Sequence, residues 1–288
     1  MVGFYRPRSL EEALSIRSQT GAIPLAGGTD LMVQHRMGAG VPASFPAPAL
    51  LIARLEELRL LGREGSDLRL GAACTLAELL EHPLVPGALK AALAEMASPA
   101  VRNLATLGGN ICNASPAADT LPFLYAAGAL VELRSLSGKR TLPITELITA
   151  PGRTILRDDE LLAAVLLPEL PTSAFFYRKV GTRRANALAK LSFLGLASIS
   201  AGRIRELRCA FGAVAPTVVR RPQLEAVLIG KRLAEVEGLV PKILQGYGAL
   251  IRPIDDQRSN ARYRHTVALR LLERFLRGLF RAPEEGRP

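Results

Sequence analysis

The apolar positions of the chain change period several times, and each change marks an element. Phe4-Tyr5-Arg6-Pro7 reads as a short strand. Leu10, Ala13 and Leu14 then recur at helical spacing behind Ser9, a suitable N-cap with Glu11 and Glu12 in the first turn. Ala22-Ile23-Pro24-Leu25 predicts a second strand, and residues 31–37 a short helix or irregular segment. The Pro- and Ala-rich stretch 38–48 is loop, and Ala49-Leu50-Leu51-Ile52 closes the unit as a strand. These elements make a small α/β subdomain.

Beyond Leu55, residues 58–61 and 67–72 predict two strands around a turn at Glu64-Gly65-Ser66. Thr75, with Glu78 three residues later, forms a capping box before a helix that starts at Leu76. Residues 86–97 read as a helix that Pro99 interrupts, and 119–126 as a short apolar helix. Alternating apolar side chains mark a strand at 129–134, and further strands are expected at 140–143 and along the apolar run 161–167. Residues 168–173 read as a linker. Strands at 174–179, 189–197 and 203–212 follow, then helices at 223–229, 233–245 and 263–280. The last helix carries the strongest apolar stripe, through Val267, Leu271, Leu272, Phe275, Leu276 and Leu279. The expected class is α+β. One domain spans 1–170, with subdomains of about 1–54 and 55–170. A C-terminal domain at 171–282 has a sheet covered on one side by helices, and 283–288 is a disordered tail.

Composition narrows the class. A chain of 288 residues that is 49% apolar can bury a sizeable core in two domains. Cys74, Cys112 and Cys209 are scattered and form no CxxC, which argues against a disulfide scaffold and against a thiolate metal site. A reducing, cytoplasmic compartment is expected. No signal peptide opens the chain and no apolar run reaches the length of a membrane span, so an integral membrane protein is not expected. The net charge of +11 raises the question of nucleic acid. The arginines are dispersed, however, apart from pairs such as Arg183-Arg184 and Arg220-Arg221, and no zinc-finger spacing or basic heptad accompanies them. A charged, solvated surface with a few partner contacts is the reading, with no nucleic-acid partner.

Two glycine segments carry the candidate chemistry, Ala26-Gly27-Gly28-Thr29-Asp30 and Thr106-Leu107-Gly108-Gly109-Asn110, about eighty residues apart. Consecutive glycines let several amide N–H groups approach one anion with no Cβ in the way, in a nest or at a helix start. Two such segments can close on one long anionic ligand, which makes a dinucleotide the first candidate. Thr29 adds a hydroxyl donor. Neither segment is a GxGxxG fingerprint or a Walker loop. Asn103 precedes the second segment, and Asn110, Asn113, Ser115 and Asp119 follow. Polar groups this dense in an apolar chain need hydrogen-bonding partners. Asp119 suits either a helix cap or a cofactor hydroxyl, and Asn103 and Asn113 could equally form Asx turns. None of His35, His82 and His265 makes a convincing base. Cys112 reads as a small buried side chain.

The run from Arg102 to Asp119, Arg-Asn-Leu-Ala-Thr-Leu-Gly-Gly-Asn-Ile-Cys-Asn-Ala-Ser-Pro-Ala-Ala-Asp, resembles the FAD loop of the flavoprotein subunits of molybdenum hydroxylases. That family includes xanthine dehydrogenase and carbon monoxide dehydrogenase. Pro24-Leu25-Ala26-Gly27-Gly28-Thr29-Asp30-Leu31 resembles its other pyrophosphate loop. Asp159 to Pro168 and Phe176 to Arg184 resemble its passage into the C-terminal domain, so the likeness covers essentially the whole chain.

The resemblance implies an FAD-binding domain of the vanillyl-alcohol-oxidase/PCMH type followed by a C-terminal flavoprotein domain. It implies that Leu25, Ala26, Gly27, Gly28, Thr29, Asp30 and Leu31, with Asn103, Thr106, Gly108, Gly109, Asn110 and Asn113, surround the FAD diphosphate and neighbouring hydroxyls. Asp119 would hold a cofactor hydroxyl or an adenosine-side group, Leu162 would pack near the adenine or the ring system, and Lys179 would lie near the flavin. Taken as residues alone, Leu162 suits a strand core and Lys179 an exposed basic position.

No catalytic side chain and no metal ligand is expected in this chain, because the chemistry comes with the cofactor. The implied partners are a molybdopterin-binding large subunit and a small subunit with two-iron clusters, in a dimer of heterotrimers. The implied acceptor is NAD, oxygen or another carrier. The four-cysteine insertion of some aromatic-CoA reductases is absent. The Gly-Gly-Asn form leans toward xanthine-dehydrogenase-like members. The alternatives are a stand-alone FAD-dependent oxidoreductase of the same fold and an FAD-free assembly subunit.

Overall fold

The computed structural model describes residues 3–183 and 186–280. Arg184 of the Arg183-Arg184 pair and the 283–288 tail lie outside the described residues. In chain order the elements are β1 (Phe4–Tyr5), α1 (Leu10–Thr20), β2 (Ile23–Leu25), α2 (Leu31–Gln34), β3 (Ala49–Leu51), β4 (Leu61–Glu64) and β5 (Asp67–Gly71). Next come α3 (Leu76–Glu81), α4 (Gly87–Ala94), α5 (Pro99–Arg102), α6 (Leu107–Cys112), α7 (Leu121–Ala127), β6 (Leu130–Ser135), β7 (Gly138–Pro143) and α8 (Ile144–Leu147). The chain continues through β8 (Ile148–Ala150), β9 (Arg153–Thr154), β10 (Leu161–Leu167), β11 (Ala174–Val180), β12 (Leu191–Ser200) and β13 (Arg203–Gly212). It ends with β14 (Val219–Arg220), α9 (Pro222–Ala226), α10 (Leu233–Leu250) and α11 (Ala261–Phe280). None of the described helices is long and apolar enough to cross a membrane.

Two compact units result. The first takes residues up to 86, 96–115 and 128–169. Its smaller sheet is parallel in the order β1-β3-β2. Ser9 caps α1 by accepting from the Glu12 amide at 3.1 Å, and Gly21 ends it in the left-handed region at φ 64°. Leu10, Ala13 and Leu14 bury in one cluster with Leu50, Leu58, Leu161 and Ala163. Arg17 ties the last turn of α1 to the start of β10, its Nε donating to the Glu160 carbonyl at 2.9 Å.

The larger sheet is antiparallel in the order β4-β5-β10-β6-β7. The unbroken apolar run of β10 follows from its central place, where Leu161–Val165 are all buried. The hairpin of β4 and β5 starts three residues later than its apolar pattern predicts. Leu58 is fully buried at the end of a 3₁₀ turn (Glu56–Leu58), and the register Glu64↔Asp67 places Gly65, at φ 62°, in the turn. Pro99 begins a helix where the sequence suggested an interruption. Ser98 Oγ accepts from Val101 N, and Pro99 sits in the first turn, where no amide donor is needed. The capping box of α3 is present in both directions, through Thr75 and Glu78.

The second unit takes residues 87–95, 116–127 and 170 onward. Its sheet is antiparallel in the order β11-β12-β13-β14. The expected helical layer is α10 and α11, and Phe193, Phe211, Tyr247 and Phe275 form the aromatic centre of that core. A Cβ on Gly195 would stand 2.6 Å from Phe275 Cζ, so β12 needs a glycine where the ring lies. Two further helices from earlier in the chain, α4 and α7, join the same sheet. Arg208 Nη1 donates to the carbonyls of Ala126 (2.9 Å) and Ala127 (3.1 Å), and Arg220 Nη1 to that of Tyr125 (2.9 Å), which satisfies the last carbonyls of α7.

Candidate cofactor site

The first glycine segment leaves β2 at Leu25 and turns through Ala26–Asp30 into α2, which begins at Leu31. Ala26 packs on the cluster around α1. Gly28 lies in the left-handed region at φ 68°, which favours glycine. Gly27 has a different reason. A Cβ there would fall on the Leu104 carbonyl, 2.7 Å from its carbon and 2.9 Å from Ala105 Cα. The first segment therefore rests backbone to backbone on the chain that enters the second.

The second segment is the start of a helix and not an open loop. Thr106 is the N-cap of α6, its Oγ1 accepting from the Gly109 amide at 3.1 Å. The Leu107 amide donates to Cys74 O (3.1 Å) and the Gly108 amide to Ala72 O (2.8 Å). Gly108 is obligatory for packing, since a Cβ there would stand 2.7 Å from that of Ala72. Gly109 stands apart. It is exposed, its φ is not positive, and a Cβ on it would approach only Thr106 Oγ1, at 3.0 Å, outside the helix backbone. A positive φ does not require a glycine here, and the one close approach is to the cap oxygen rather than to backbone outside the helix.

One side chain that the sequence analysis missed joins the two segments. Gln34 Nε2 donates to Asp30 Oδ2 and, at 3.1 Å, to Asn113 Oδ1. Its position one turn after Asp30 is the only sequence signal that could have found it. Asn103 is exposed, and Asn110, Thr29 and Leu31 are half-buried. Leu162 is buried in β10 opposite Leu133. Cys112 corrects its sequence reading, because the last turn of α6 leaves the residue exposed. His35 shares a hydrogen bond between Nδ1 and Ser44 O at 3.0 Å and packs at a tilt against Phe45, their centroids 4.7 Å apart, so it anchors the 38–48 loop.

Asp119 and Lys179 belong to the second unit, where they form a buried ion pair. Lys179 Nζ donates to Asp119 Oδ2 at 2.7 Å and to the Glu95 carbonyl at 3.1 Å, and the two side chains are 6% and 7% exposed. The exposed cation expected at 179 is thus replaced by a buried one. Burial pushes the Asp119 pKa up to about 6, against the pull of the Lys179 ammonium. Asp119 Oδ1 is buried without a hydrogen-bond partner among the described residues.

Residues 1–170 match the family described as the FAD binding domain in molybdopterin dehydrogenase, and residues 176–279 match the CO dehydrogenase flavoprotein C-terminal domain. The chain belongs to the molybdopterin dehydrogenase flavoproteins. Among its relatives is the xanthine dehydrogenase FAD-binding subunit of Escherichia coli O157:H7, 35% identical over 228 residues that make up 75% of each chain. Another is the carbon monoxide dehydrogenase medium chain of Hydrogenophaga pseudoflava, 28% identical over 280 residues and 95% of each chain. The solved CO dehydrogenase from Oligotropha carboxidovorans superposes with a TM-score of 0.88 over 98% of this chain and 99% of that one. At 24% identity, that likeness establishes the shared fold.

The flavoprotein is therefore an oxidoreductase subunit with FAD as its cofactor. Its residues fit that group. In the first unit Gly109 leaves backbone open beside two segments that Gln34 ties together. In the second unit Asp119 keeps a buried oxygen that lacks a partner among the described residues.

Proposed function

We propose that the two glycine segments of this flavoprotein hold the FAD diphosphate and that the bound cofactor relays electrons within a molybdenum hydroxylase complex. The observation that carries the reading is Gly109, the one glycine of the four that neither a clash with backbone outside its helix nor a positive φ requires. FAD supplies the redox chemistry when bound. The chain binds and orients it: the amides of the 26–30 turn and the open backbone surface at Gly109 meet the phosphates, while the first amides of α6 stay committed to Cys74, Ala72 and the Thr106 cap. Asn103, Asn110, Asn113 and Thr29 supply side-chain polar groups to the same ligand, with Leu25, Leu31 and Leu162 as apolar neighbours. Asp119 and Lys179 are assigned to cofactor hydroxyls and the flavin.

In this reading a small subunit with two-iron clusters delivers electrons, a molybdopterin-binding large subunit oxidises the substrate, and NAD, oxygen or another acceptor receives the electrons. The assembly is a dimer of such heterotrimers. The 35% identity to a xanthine dehydrogenase subunit, against 28% to a carbon monoxide dehydrogenase chain, supports the xanthine-dehydrogenase-like lean.

The full chain, incubated with FAD and desalted, is expected to keep a stoichiometric flavin absorbance. Purified with its iron–sulfur partner, it is expected to show cluster shoulders on that envelope and to bleach when the partner is reduced. A colourless chain after incubation with FAD would overturn the reading.

A further inference from the structure

We propose that the Tyr177 hydroxyl is a cofactor-recognising group which, together with Asp119 Oδ1, grips a single hydroxyl of bound FAD. The inference rests on the reading of the chain as an FAD carrier and adds a residue to it. Along β11, Ala174, Phe176 and Val180 pack on the core beneath α10 and α11. Strand alternation sends Phe175, Tyr177 and Lys179 to the opposite face. That face meets α4: a Cβ on Gly87 would stand 3.6 Å from the Phe175 ring, and Lys179 reaches the Glu95 carbonyl just beyond the helix. Tyr177 thus lies on the Lys179 side of its strand, close enough to Asp119 and Glu95 to feel their charges.

The ion pair leaves a specific polar arrangement. Lys179 engages Asp119 Oδ2. Asp119 Oδ1 and the Tyr177 hydroxyl are both buried, and neither has a hydrogen-bond partner among the described residues. Each such group destabilises the fold if nothing satisfies it. Burial, with Asp119 and Glu95 nearby, raises the Tyr177 pKa well above its usual value of 10, so the phenol keeps its proton and can donate. An ionised carboxylate only accepts. A group that serves both must accept from Tyr177 and donate to Asp119. A hydroxyl does both. A phosphate oxygen cannot donate, and its charge repels Asp119. FAD offers hydroxyls of this kind on its ribityl chain and on its ribose.

The test is Tyr177→Phe in the full chain, with FAD affinity and apo melting measured together. Affinity is expected to fall about three- to tenfold. The apo melting temperature should stay the same or rise, because the lost hydroxyl bonds to no described residue. FAD analogues that each lack one ribityl or one ribose hydroxyl identify the partner, since the variant loses nothing further against the analogue without the gripped group. Unchanged FAD affinity would overturn the proposal and leave water as the bridging group. A drop in apo melting that accounts for the affinity loss would overturn it in favour of a structural role. If the wild-type chain itself takes up no FAD, it is the underlying reading that fails.

Discussion

Gly27→Ala is expected to lower the stability of the first unit by about 3 kcal/mol and to abolish FAD retention with it. The added methyl would fall on the Leu104 carbonyl, with Ala105 Cα 2.9 Å away. Those are backbone atoms, so no rotamer change relieves the overlap. The chain entering α6 must shift, and α6 carries Gly109. Gly109→Ala is the matched control, because a Cβ there meets only Thr106 Oγ1 and alanine suits a helix better than glycine. Urea denaturation of both variants, followed by circular dichroism, checks the contrast. A Gly27→Ala chain with the wild-type midpoint would mean that the two segments do not rest on each other.

Lys179→Met is expected to cost the second unit about 3 kcal/mol near neutral pH, because it leaves Asp119 buried without its cation. The sign of the pH dependence follows from the carboxyl. Its folded pKa, about 6 with the lysine present, already lies above the unfolded value of 3.8. Removing Lys179 raises it further. A group with a raised folded pKa favours the folded state at low pH, and that contribution fades as pH rises through the folded pKa. The penalty of the variant should therefore shrink toward pH 4, where Asp119 is protonated, and grow toward pH 8. Urea midpoints of the apo variant across that range test it. A penalty independent of pH would show that Asp119 is not the group left exposed by the change.

Much of this was legible because it is local. Ser9, the Thr75–Glu78 capping box and the unbroken apolar run of β10 each act within a few residues of their own position, and the structure places each as the pattern predicts. The glycine segments were legible as places where backbone must come close. Their division of labour was not, because Gly27 and Gly108 answer to Leu104 and Ala72, and those contacts depend on the fold. The Gln34–Asn113 bond spans 79 positions, and α4 and α7 join a sheet whose strands lie much later in the chain. No periodicity encodes such pairings. Tyr177 is an intermediate case. Its spacing of two from Lys179 put both on one strand face, but only the fold showed that its hydroxyl lacks a partner among the described residues.

The most direct test is a paired FAD titration of the wild-type chain and Gly109→Leu, with apo melting measured alongside. The first carbon of that side chain would meet, outside the backbone of α6, only Thr106 Oγ1, at 3.0 Å. Melting is expected to stay within a few degrees of wild type while FAD affinity falls about 100-fold, close to 3 kcal/mol. Equal affinity in a folded Gly109→Leu chain would contradict the claim that FAD phosphates rest on this helix start.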